Sequence, residues 1–297
     1  MCKILSLFDF QKQFPDEQSC FDYLVKIRWP DGFICPKCGH NKYYKLQRNK
    51  LFQCRKCGRQ TSVTAGTVFH KLRHPLQRLF WAVYLLAVSK KGISALELQR
   101  KLGLNSYQTA WLLLHKLRKA MVSSGKFPLT ISVEVDETYI GGHRQGKTGR
   151  GAESKSLVAV AVETEGKNMG RAYLKRIEKA SMEELSSFIK GRVAQGTSVI
   201  TDGWSSYKFL SAEYNHDPVR AKEQDNGELL PKVHIVIANL KMWLRGTFNR
   251  YPEKHIQKYL DEFSFRFNRR WNLDSIFDKL LSRCLLCNTI TFAELTG

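Results

Sequence analysis

The sequence contains no apolar run of the roughly 20 residues needed to cross a bilayer. Its first ten residues hold only a short apolar run, interrupted by Asp9, and no small-residue cleavage pattern follows, so no signal peptide is expected. These absences argue against a membrane-spanning or secreted protein and favour a cytoplasmic one. Thiols stay reduced in that compartment, so the eight cysteines are not expected to form disulfides.

Acidic residues are also in short supply. The 297 residues include 27 Asp and Glu against 48 Lys and Arg, which gives a formal net charge of +21. Such an excess repels itself in a compact chain unless a polyanion neutralises it. A basic housekeeping enzyme is the alternative, but this charge is typical of nucleic-acid binding. The length favours about two domains with sizeable cores.

Four of the cysteines have the spacing of a metal site. Cys35 and Cys38 form one C-x2-C pair, and Cys54 and Cys57 form a second, 15 residues further on. This doubled spacing predicts a structural zinc ribbon, in which four thiolates leave no open position for catalysis. The segment is also crowded with basic residues, which predicts contact with DNA. They are Lys37, Lys42, Lys45, Arg48, Lys50, Arg55, Lys56 and Arg59.

A further C-x2-C pair, Cys284 and Cys287, lies in an apolar helical stretch without glycine knuckles. Because free cysteine behaves as a small hydrophobic residue, we interpret this pair as packing and not as metal ligands.

Residues 75–121 have the pattern of a helix-turn-helix. An apolar helix is predicted over 75–88, and Ser94 with Glu97 forms a capping box that opens a second helix. That helix stops near Gly103, and a third is predicted over 108–121. An ordinary helical hairpin is the alternative.

In a DNA-binding unit of this kind, the start of the last helix meets base edges. Ser106, Tyr107, Gln108 and Thr109 occupy that position. Further along the same helix, basic side chains are expected to face phosphates. They are Lys116, Arg118 and Lys119.

After a linker-like stretch at 123–128 the pattern changes to strands. One alternating strand leads to Asp136, and a second, at 199–201, leads to Asp202. Two carboxylates at adjacent strand ends can share Mg²⁺ or Mn²⁺ ions about 3.5–4 Å apart for phosphoryl transfer. The alternative is that each Asp only starts a turn. Residues 141–155, rich in Gly, Lys and Arg, predict a basic loop able to grip a phosphate backbone.

The order of elements predicts the fold class. Strands at 129–135, 157–162 and 170–177 precede a helix at 181–195 and the strand that ends at Asp202. Strands followed by a crossover helix and another strand predict a mixed α/β sheet flanked by helices.

Four segments together resemble a known family. They are residues 133–142 (VEVDETYIGG), 201–207 (TDGWSSY), 234–247 (HIVIANLKMWLRGT) and 259–270 (YLDEFSFRFNRR). They are similar to bacterial insertion-sequence transposases of the DDE class, in the group with an N-terminal zinc ribbon. The resemblance covers about residues 15–272 and implies an RNase H-like catalytic domain, with Asp136 and Asp202 as the first two metal ligands.

The third acid of the class is missing. A Glu usually comes from a helix after the second Asp, whereas residues 234–241 contain no carboxylate. A branch of the similar group has Asn and Lys in this region, which Asn239 and Lys241 match. An Asn carbonyl can bind Mg²⁺, and Lys241 would contact a scissile phosphate. His234, two turns before Lys241 on one helix face, could also join the site.

Glu262 is an open alternative as the third ligand, although pairing with a nearby Arg is the commoner use of such a residue. Glu134 lies on the same strand face as Asp136, and Glu137 faces away from it. Neither is assigned to the primary site.

The sequence therefore predicts four segments: a zinc ribbon with a helical lead-in (15–66), a helix-turn-helix (74–122), an RNase H-like domain (128–272) and a helical tail (273–297). The predicted function is a transposase that binds double-stranded DNA at terminal inverted repeats. It would cleave and transfer strands with Mg²⁺ or Mn²⁺, as a homodimer or larger assembly in the bacterial cytoplasm at the nucleoid. The alternatives are a DNA-binding regulator with an inactive RNase H-like domain and an RNA-processing nuclease.

Overall fold

A computed structural model describes residues 5–46, 50–141, 155–219, 229–249 and 251–296. Arg48 and most of the predicted basic loop, residues 142–154, lie outside the described residues. The chain forms two compact units, one of Met1–Met121 with Asn272–Gly297 and one of Val122–Trp271. No described helix is long and apolar enough to span a membrane.

The first unit begins with two short helices and a small antiparallel sheet. Asp16 accepts a hydrogen bond from the Ser19 amide and so caps the second helix. Phe52, at the middle of the sheet, stacks on Phe33 and contacts Trp29 and Tyr43, which provides a small aromatic core beside the cysteines. The elements are α1 (Leu7–Gln13), α2 (Glu17–Arg28), β1 (Tyr43–Leu46), β2 (Leu51–Cys54) and β3 (Gln60–Ser62).

Three helices follow at the places the sequence predicts. They are α3 (Leu76–Val88), α4 (Ala95–Leu102) and α5 (Tyr107–Met121). The Ser94 hydroxyl accepts from the Glu97 amide and starts α4. Gly103 ends it in the left-handed region, at a φ of 58°, where glycine carries no Cβ penalty. Ser106 Oγ accepts from the Thr109 amide at 3.1 Å and starts α5.

The second unit is built on a five-stranded mixed sheet in the order β6–β5–β4–β7–β8. β4, β5 and β6 pair antiparallel, whereas β7 and β8 run parallel to β4. This arrangement confirms the predicted mixed α/β class. The strands are β4 (Ser132–Ile140), β5 (Ser156–Glu165), β6 (Asn168–Ile177), β7 (Ser198–Thr201) and β8 (Asn215–Pro218).

Helices pack on both faces of the sheet because β5 is buried along nearly its whole length and offers apolar side chains to both sides. α6 (Met182–Lys190) packs on one face, with Leu185 and Phe188 in the core. The prediction that this helix reaches residue 195 was wrong. It ends at Gly191, and Val193 forms a parallel bridge to Leu129 instead.

α7 (Pro231–Thr247) and α8 (Ile256–Phe267) pack on the opposite face of the sheet. One side chain of α8 and one from the residue directly after it cover the outer edge of β6, where a sixth strand could otherwise pair. Asn268 accepts from the Ala172 amide and donates to the Ala172 carbonyl, and Gln257 accepts from the Arg176 amide. An edge covered in this way is protected from pairing with another chain.

The C-terminal helices, α9 (Ile276–Leu286) and α10 (Phe292–Thr296), belong to the first unit. Phe277 of α9 contacts Phe10, Phe14 and Phe80 in an aromatic cluster. Cys284 is fully buried on the same helix, in line with its interpretation as a packing residue.

Candidate active site

The two predicted aspartates come from neighbouring parallel strands of the second unit. Asp202 directly follows β7, as predicted, whereas Asp136 lies in the middle of β4, because that strand continues to Ile140 and does not end at the aspartate. In the β4–β7 register Glu134 lies beside Ile200. Asp136 and Asp202 each come two residues later, so the register places them level with one another, where β7 ends beside the middle of β4. Asp202 is exposed, and its Oδ1 accepts from the Trp204 amide at 3.0 Å.

His234 of α7 contacts the first of these aspartates. Its Nε2 lies 3.1 Å from Asp136 Oδ2, while Asp136 Oδ1 accepts from the Glu137 amide at 2.8 Å. Neighbouring ligands of an octahedral ion with bonds of about 2.1 Å lie about 3.0 Å apart. The Asp136–His234 pair thus has the spacing of two adjacent metal ligands. In the absence of an ion, the same 3.1 Å separation allows a hydrogen bond between His234 Nε2 and Asp136 Oδ2.

Burial raises the pKa of Asp136 above its ordinary value, and the negative charge of Asp202 raises it further. The Glu137 amide and His234 act in the opposite direction. A carboxyl whose proton is held by burial and by a second carboxylate favours a cation in its place. The electrostatics therefore link Asp136, Asp202 and His234 in one site.

Lys241 lies in the same electrostatic environment as Asp136. Its pKa is lowered by burial first and then by Arg245, while the charge of Asp136 opposes the shift and Lys155 adds to it. One flank of α7 therefore carries Lys241 and Arg245, with Lys155 close enough to act on Lys241. This arrangement suits an anionic phosphate next to the carboxylates.

Asn239, the other predicted residue of this helix, falls outside that flank by helical geometry. Each helical residue turns by about 100°. Asn239 therefore points about 140° away from His234 and about 160° away from Lys241, whereas His234 and Lys241 are only about 20° apart. The helical geometry brings His234 to Asp136 and leaves Asn239 on another side of α7.

Glu262 lies in a different environment. It is fully buried on α8, and its charge acts on Arg266, one turn further along the same helix. Burial lowers the pKa of Arg266 and Glu262 counteracts this effect. This is the use as an arginine partner that the sequence analysis kept as the alternative to metal binding.

Three residues near the aspartates, Tyr207, Thr201 and Glu134, make supporting contacts that were not expected from the sequence. Tyr207 is fully buried and donates to Glu137 Oε1 at 2.6 Å, which joins the residue after Asp136 to the 3₁₀ segment Ser205–Ala212 after Asp202. The Thr201 hydroxyl lies 3.0 Å from His216 Nε2 and accepts from the Gly203 amide.

The third of these residues is Glu134, whose Oε2 accepts from two amides at the start of α7. A charged residue between Val133 and Val135 in a buried strand was the available signal, since a buried carboxylate needs partners.

The four cysteines of the first unit converge as predicted. Cys35 Sγ lies 3.6 Å from Cys57 Sγ, and Cys38 Sγ lies 3.5 Å from Cys54 Sγ. Tetrahedral Zn–S bonds of about 2.3 Å place sulfurs about 3.8 Å apart, so the cluster fits one zinc ion. Gly39, at a φ of 69°, turns the first knuckle so that its amide donates to the Cys35 carbonyl.

Within the described ranges, this is the only group of three or more Cys, His, Asp or Glu ligand atoms that all lie within 4.8 Å of one another. The ligand atoms of Asp136, Asp202 and His234 are thus more widely spaced than the sulfurs of the cysteine cluster. Cys287, which is half-buried, has its Sγ near the Lys119 carbonyl.

At the start of α5, Tyr107 and Gln108 are exposed and Ser106 is half-buried, so this helix end is accessible. The expectation that Lys116 faces phosphates was wrong. Lys116 is 6% exposed, and its Nζ donates to the carbonyls of Val68 and Ile290 at 3.0 Å each. Arg118 is also buried, whereas Lys119 is exposed.

Solved structures similar to this chain include the Mos1 transposase in three DNA-transposition complexes, each at 14% sequence identity. The match to the pre-cleavage transpososome covers 69% of this chain and 77% of the Mos1 chain, with a TM-score of 0.29. The match to the strand transfer complex covers 70% of this chain and 77% of the Mos1 chain, with a TM-score of 0.30. The match to the paired-end complex with the left transposon end covers 69% of this chain and 78% of the Mos1 chain, with a TM-score of 0.29. A search of curated proteins finds no significant match.

Two family models match the chain, and together they cover more than half of it. The model of the transposase zinc-ribbon domain matches residues 15–60, which contain the four cysteines. The model of the ISXO2-like transposase domain matches residues 128–268, which contain the sheet, Asp136, Asp202 and α7. The chain therefore belongs to the insertion-sequence transposases of the DDE class with an N-terminal zinc ribbon, and its second unit is their RNase H-like catalytic domain.

Proposed function

We propose that the second unit cleaves and joins DNA strands with divalent cations held by Asp136, Asp202 and His234. The observation that carries this proposal is the 3.1 Å contact between Asp136 and His234 beside the strand end of Asp202. Carboxylate oxygens suit Mg²⁺ and Mn²⁺, which are the ions proposed here. When bound, these ions would activate the attacking oxygen and stabilise the leaving oxygen of the phosphate.

The side chains have separate tasks in this proposal. Asp136 and Asp202 supply the negative charge that holds the cations, and His234 takes the place of the third carboxylate of the class. Lys241, on the His234 flank of α7, binds the scissile phosphate as a point charge. Attack by water on the phosphate would displace the 3′ oxygen and give a nick with a free 3′-OH and a 5′-phosphate. Attack by that hydroxyl on a phosphate of another strand would displace the 3′ oxygen of that strand and join the two.

The first unit would recognise the terminal inverted repeats in double-stranded DNA. This part of the proposal rests on the accessible start of α5, at Ser106, Tyr107 and Gln108, and on the net charge of +21. Holding two DNA ends together requires at least two copies of the chain, so we propose a homodimer or larger assembly that acts on the bacterial nucleoid in the cytoplasm.

The experiment is a cleavage assay on linear DNA that carries the element's two ends, with Mg²⁺ or Mn²⁺. The proposal predicts nicks at the ends and joined products, and preference for DNA over RNA of the same sequence. The replacement of the usual Glu by His234 favours a second candidate, a DNA-binding regulator without catalysis. That candidate predicts specific binding of the ends with no cleavage in either metal.

A further inference from the structure

Glu134 is a buried carboxylate in the strand that carries Asp136. The residue is 5% exposed, and its Oε2 accepts hydrogen bonds from the amides of Lys232 and Val233, each at 2.8 Å. Both amides lie in the first turn of α7. The carboxylate is therefore committed to the start of this helix.

The start of α7 has no cap of its own. Its N-cap residue, Leu230, offers no side-chain hydrogen bond, and Pro231 has no amide hydrogen. The next amides of a helix would be left without partners. Glu134 supplies an acceptor for two of them, and its negative charge complements the positive end of the helix dipole.

The position of this cap matters for the site. The capped amides belong to the two residues directly before His234, while Glu134 lies two residues before Asp136. The cap thus ties strand β4 to α7 next to the Asp136–His234 contact. A slip of α7 by one residue would turn His234 by about 100° and end that contact.

We infer that Glu134 is a positioning residue that fixes His234 at ligand distance from Asp136 by capping α7 from the strand of Asp136. This inference rests on the proposed function, because it concerns how the same metal site is held.

Two substitutions separate a cap from other roles of the carboxylate. Glu134→Gln keeps an oxygen acceptor at the same reach and removes the charge. Glu134→Asp keeps the charge and shortens the side chain by one methylene, so the carboxylate no longer reaches both amides. A cap tolerates Gln better than Asp, whereas a purely electrostatic role tolerates Asp better than Gln. A direct metal ligand would tolerate neither.

The measurement is a Mn²⁺ titration of the zinc-loaded full-length protein, followed by electron paramagnetic resonance. We expect Glu134→Gln to bind Mn²⁺ within about fivefold of the unmutated protein, since only the interaction with the helix dipole is lost. We expect Glu134→Asp to bind about 10- to 100-fold more weakly, as is usual when a residue that orients a ligand is lost. Equal losses in both variants, or the reverse order, would overturn the inference.

Glu17 provides the matched control for a general loss of stability. Its carboxylate accepts from the amides of Leu76 and Gln77 at 3.0 and 3.1 Å, at the start of α3. That helix likewise has no side-chain cap of its own, since its N-cap residue is Pro75. Glu17→Asp should lower the melting temperature and leave Mn²⁺ affinity unchanged, because Glu17 belongs to the other unit. An equal loss of Mn²⁺ affinity in both Asp variants would overturn the inference.

Asp136→Asn separates this inference from the proposed function. If the Asn variant loses Mn²⁺ binding and Glu134→Asp keeps it, the inference fails and the metal site stands. If Asp136→Asn binds Mn²⁺ as well as the unmutated protein does, the metal site fails and the inference with it.

Discussion

His234 is the residue that distinguishes this site from one with three carboxylates. It contacts Asp136 at 3.1 Å and shares a helix flank with Lys241. An imidazole can bind a metal through a neutral nitrogen, but unlike a carboxylate it adds no negative charge. The charge that holds the cations in this account therefore comes from Asp136 and Asp202.

Substitution of His234 and of Asn239 by Ala distinguishes the two candidates for the third ligand. We expect His234→Ala to lower DNA cleavage about 10- to 100-fold, partly restored by higher Mn²⁺, because a ligand is lost. Asn239→Ala should retain cleavage, since Asn239 points to another side of α7. Rate measurements over a range of Mn²⁺ concentrations test both. A loss confined to Asn239→Ala would contradict the assignment.

Lys116 and Lys119 form a second matched pair, on α5. Lys116→Met removes two hydrogen bonds to backbone carbonyls and should lower the free energy of unfolding by about 2 to 4 kcal/mol. Lys119→Met removes an exposed charge and should change stability by less than about 0.5 kcal/mol.

Thermal melts and DNA-binding titrations at several salt concentrations check this pair. If Lys119 contacts a phosphate, its substitution lowers the salt dependence of binding by about one unit of slope. A Lys116→Met protein with unchanged stability and weakened DNA binding would contradict the buried role of Lys116.

Sequence patterns predict some residues of the site better than others. The position of Asp202 directly after β7 follows from an apolar run that ends in Asp. Alternation predicts the strand that carries Asp136, but not that this strand continues to Ile140. The flank shared by His234 and Lys241 follows from helical periodicity. Asn239 was included by similarity to a family branch, and the turn per residue separates it from Lys241. The two partners of Glu134 are 98 and 99 positions away in sequence, and that of Glu137 is 70 positions away, so no local pattern identifies them.

At the scale of elements, the zinc ribbon depends on its metal more than on its core. Its sheet has strands of only three and four residues, and a module this small is expected to fold around the ion. The aromatic cluster around Phe52 adds packing on one side of the sheet.

Zinc analysis of cysteine variants tests this view. We expect one zinc per chain, lost in Cys54→Ser and retained in Cys287→Ser, because Cys287 lies at the end of α9 outside the cluster. Release of zinc to a chelator, followed with a colorimetric indicator, gives the stoichiometry. Full zinc content in Cys54→Ser would contradict the four-thiolate site.

Local signals fix helix starts and glycine-ended turns, as at Ser94 and Gly103, and so the helices of the first unit could be predicted. The end of α6 was placed too far along the chain because the apolar pattern continues beyond Gly191. The return of α9 to the first unit depends on Phe277 packing against Phe10 and Phe14, more than 260 residues earlier. Periodicity within a segment carries no information on such contacts.

At the scale of the whole molecule, a strongly basic chain contains a site with only two acidic residues, Asp136 and Asp202. The net charge of +21 draws DNA to the protein, and Asp136 and Asp202 concentrate negative charge on two neighbouring strands of the sheet. Cations bound there would let the phosphate approach these carboxylates without repulsion. Binding and cleavage should therefore be separable by substitutions at the two aspartates.

The most direct measurement is cleavage of DNA carrying the element's ends by the unmutated protein, Asp136→Asn and Asp202→Asn, with binding measured in parallel. The account predicts metal-dependent cleavage by the unmutated protein and its loss in either variant. It also predicts that both variants still bind the ends, since neither substitution touches the first unit. Cleavage that persists in Asp136→Asn or Asp202→Asn would contradict the account, as would binding without cleavage by the unmutated protein in both Mg²⁺ and Mn²⁺.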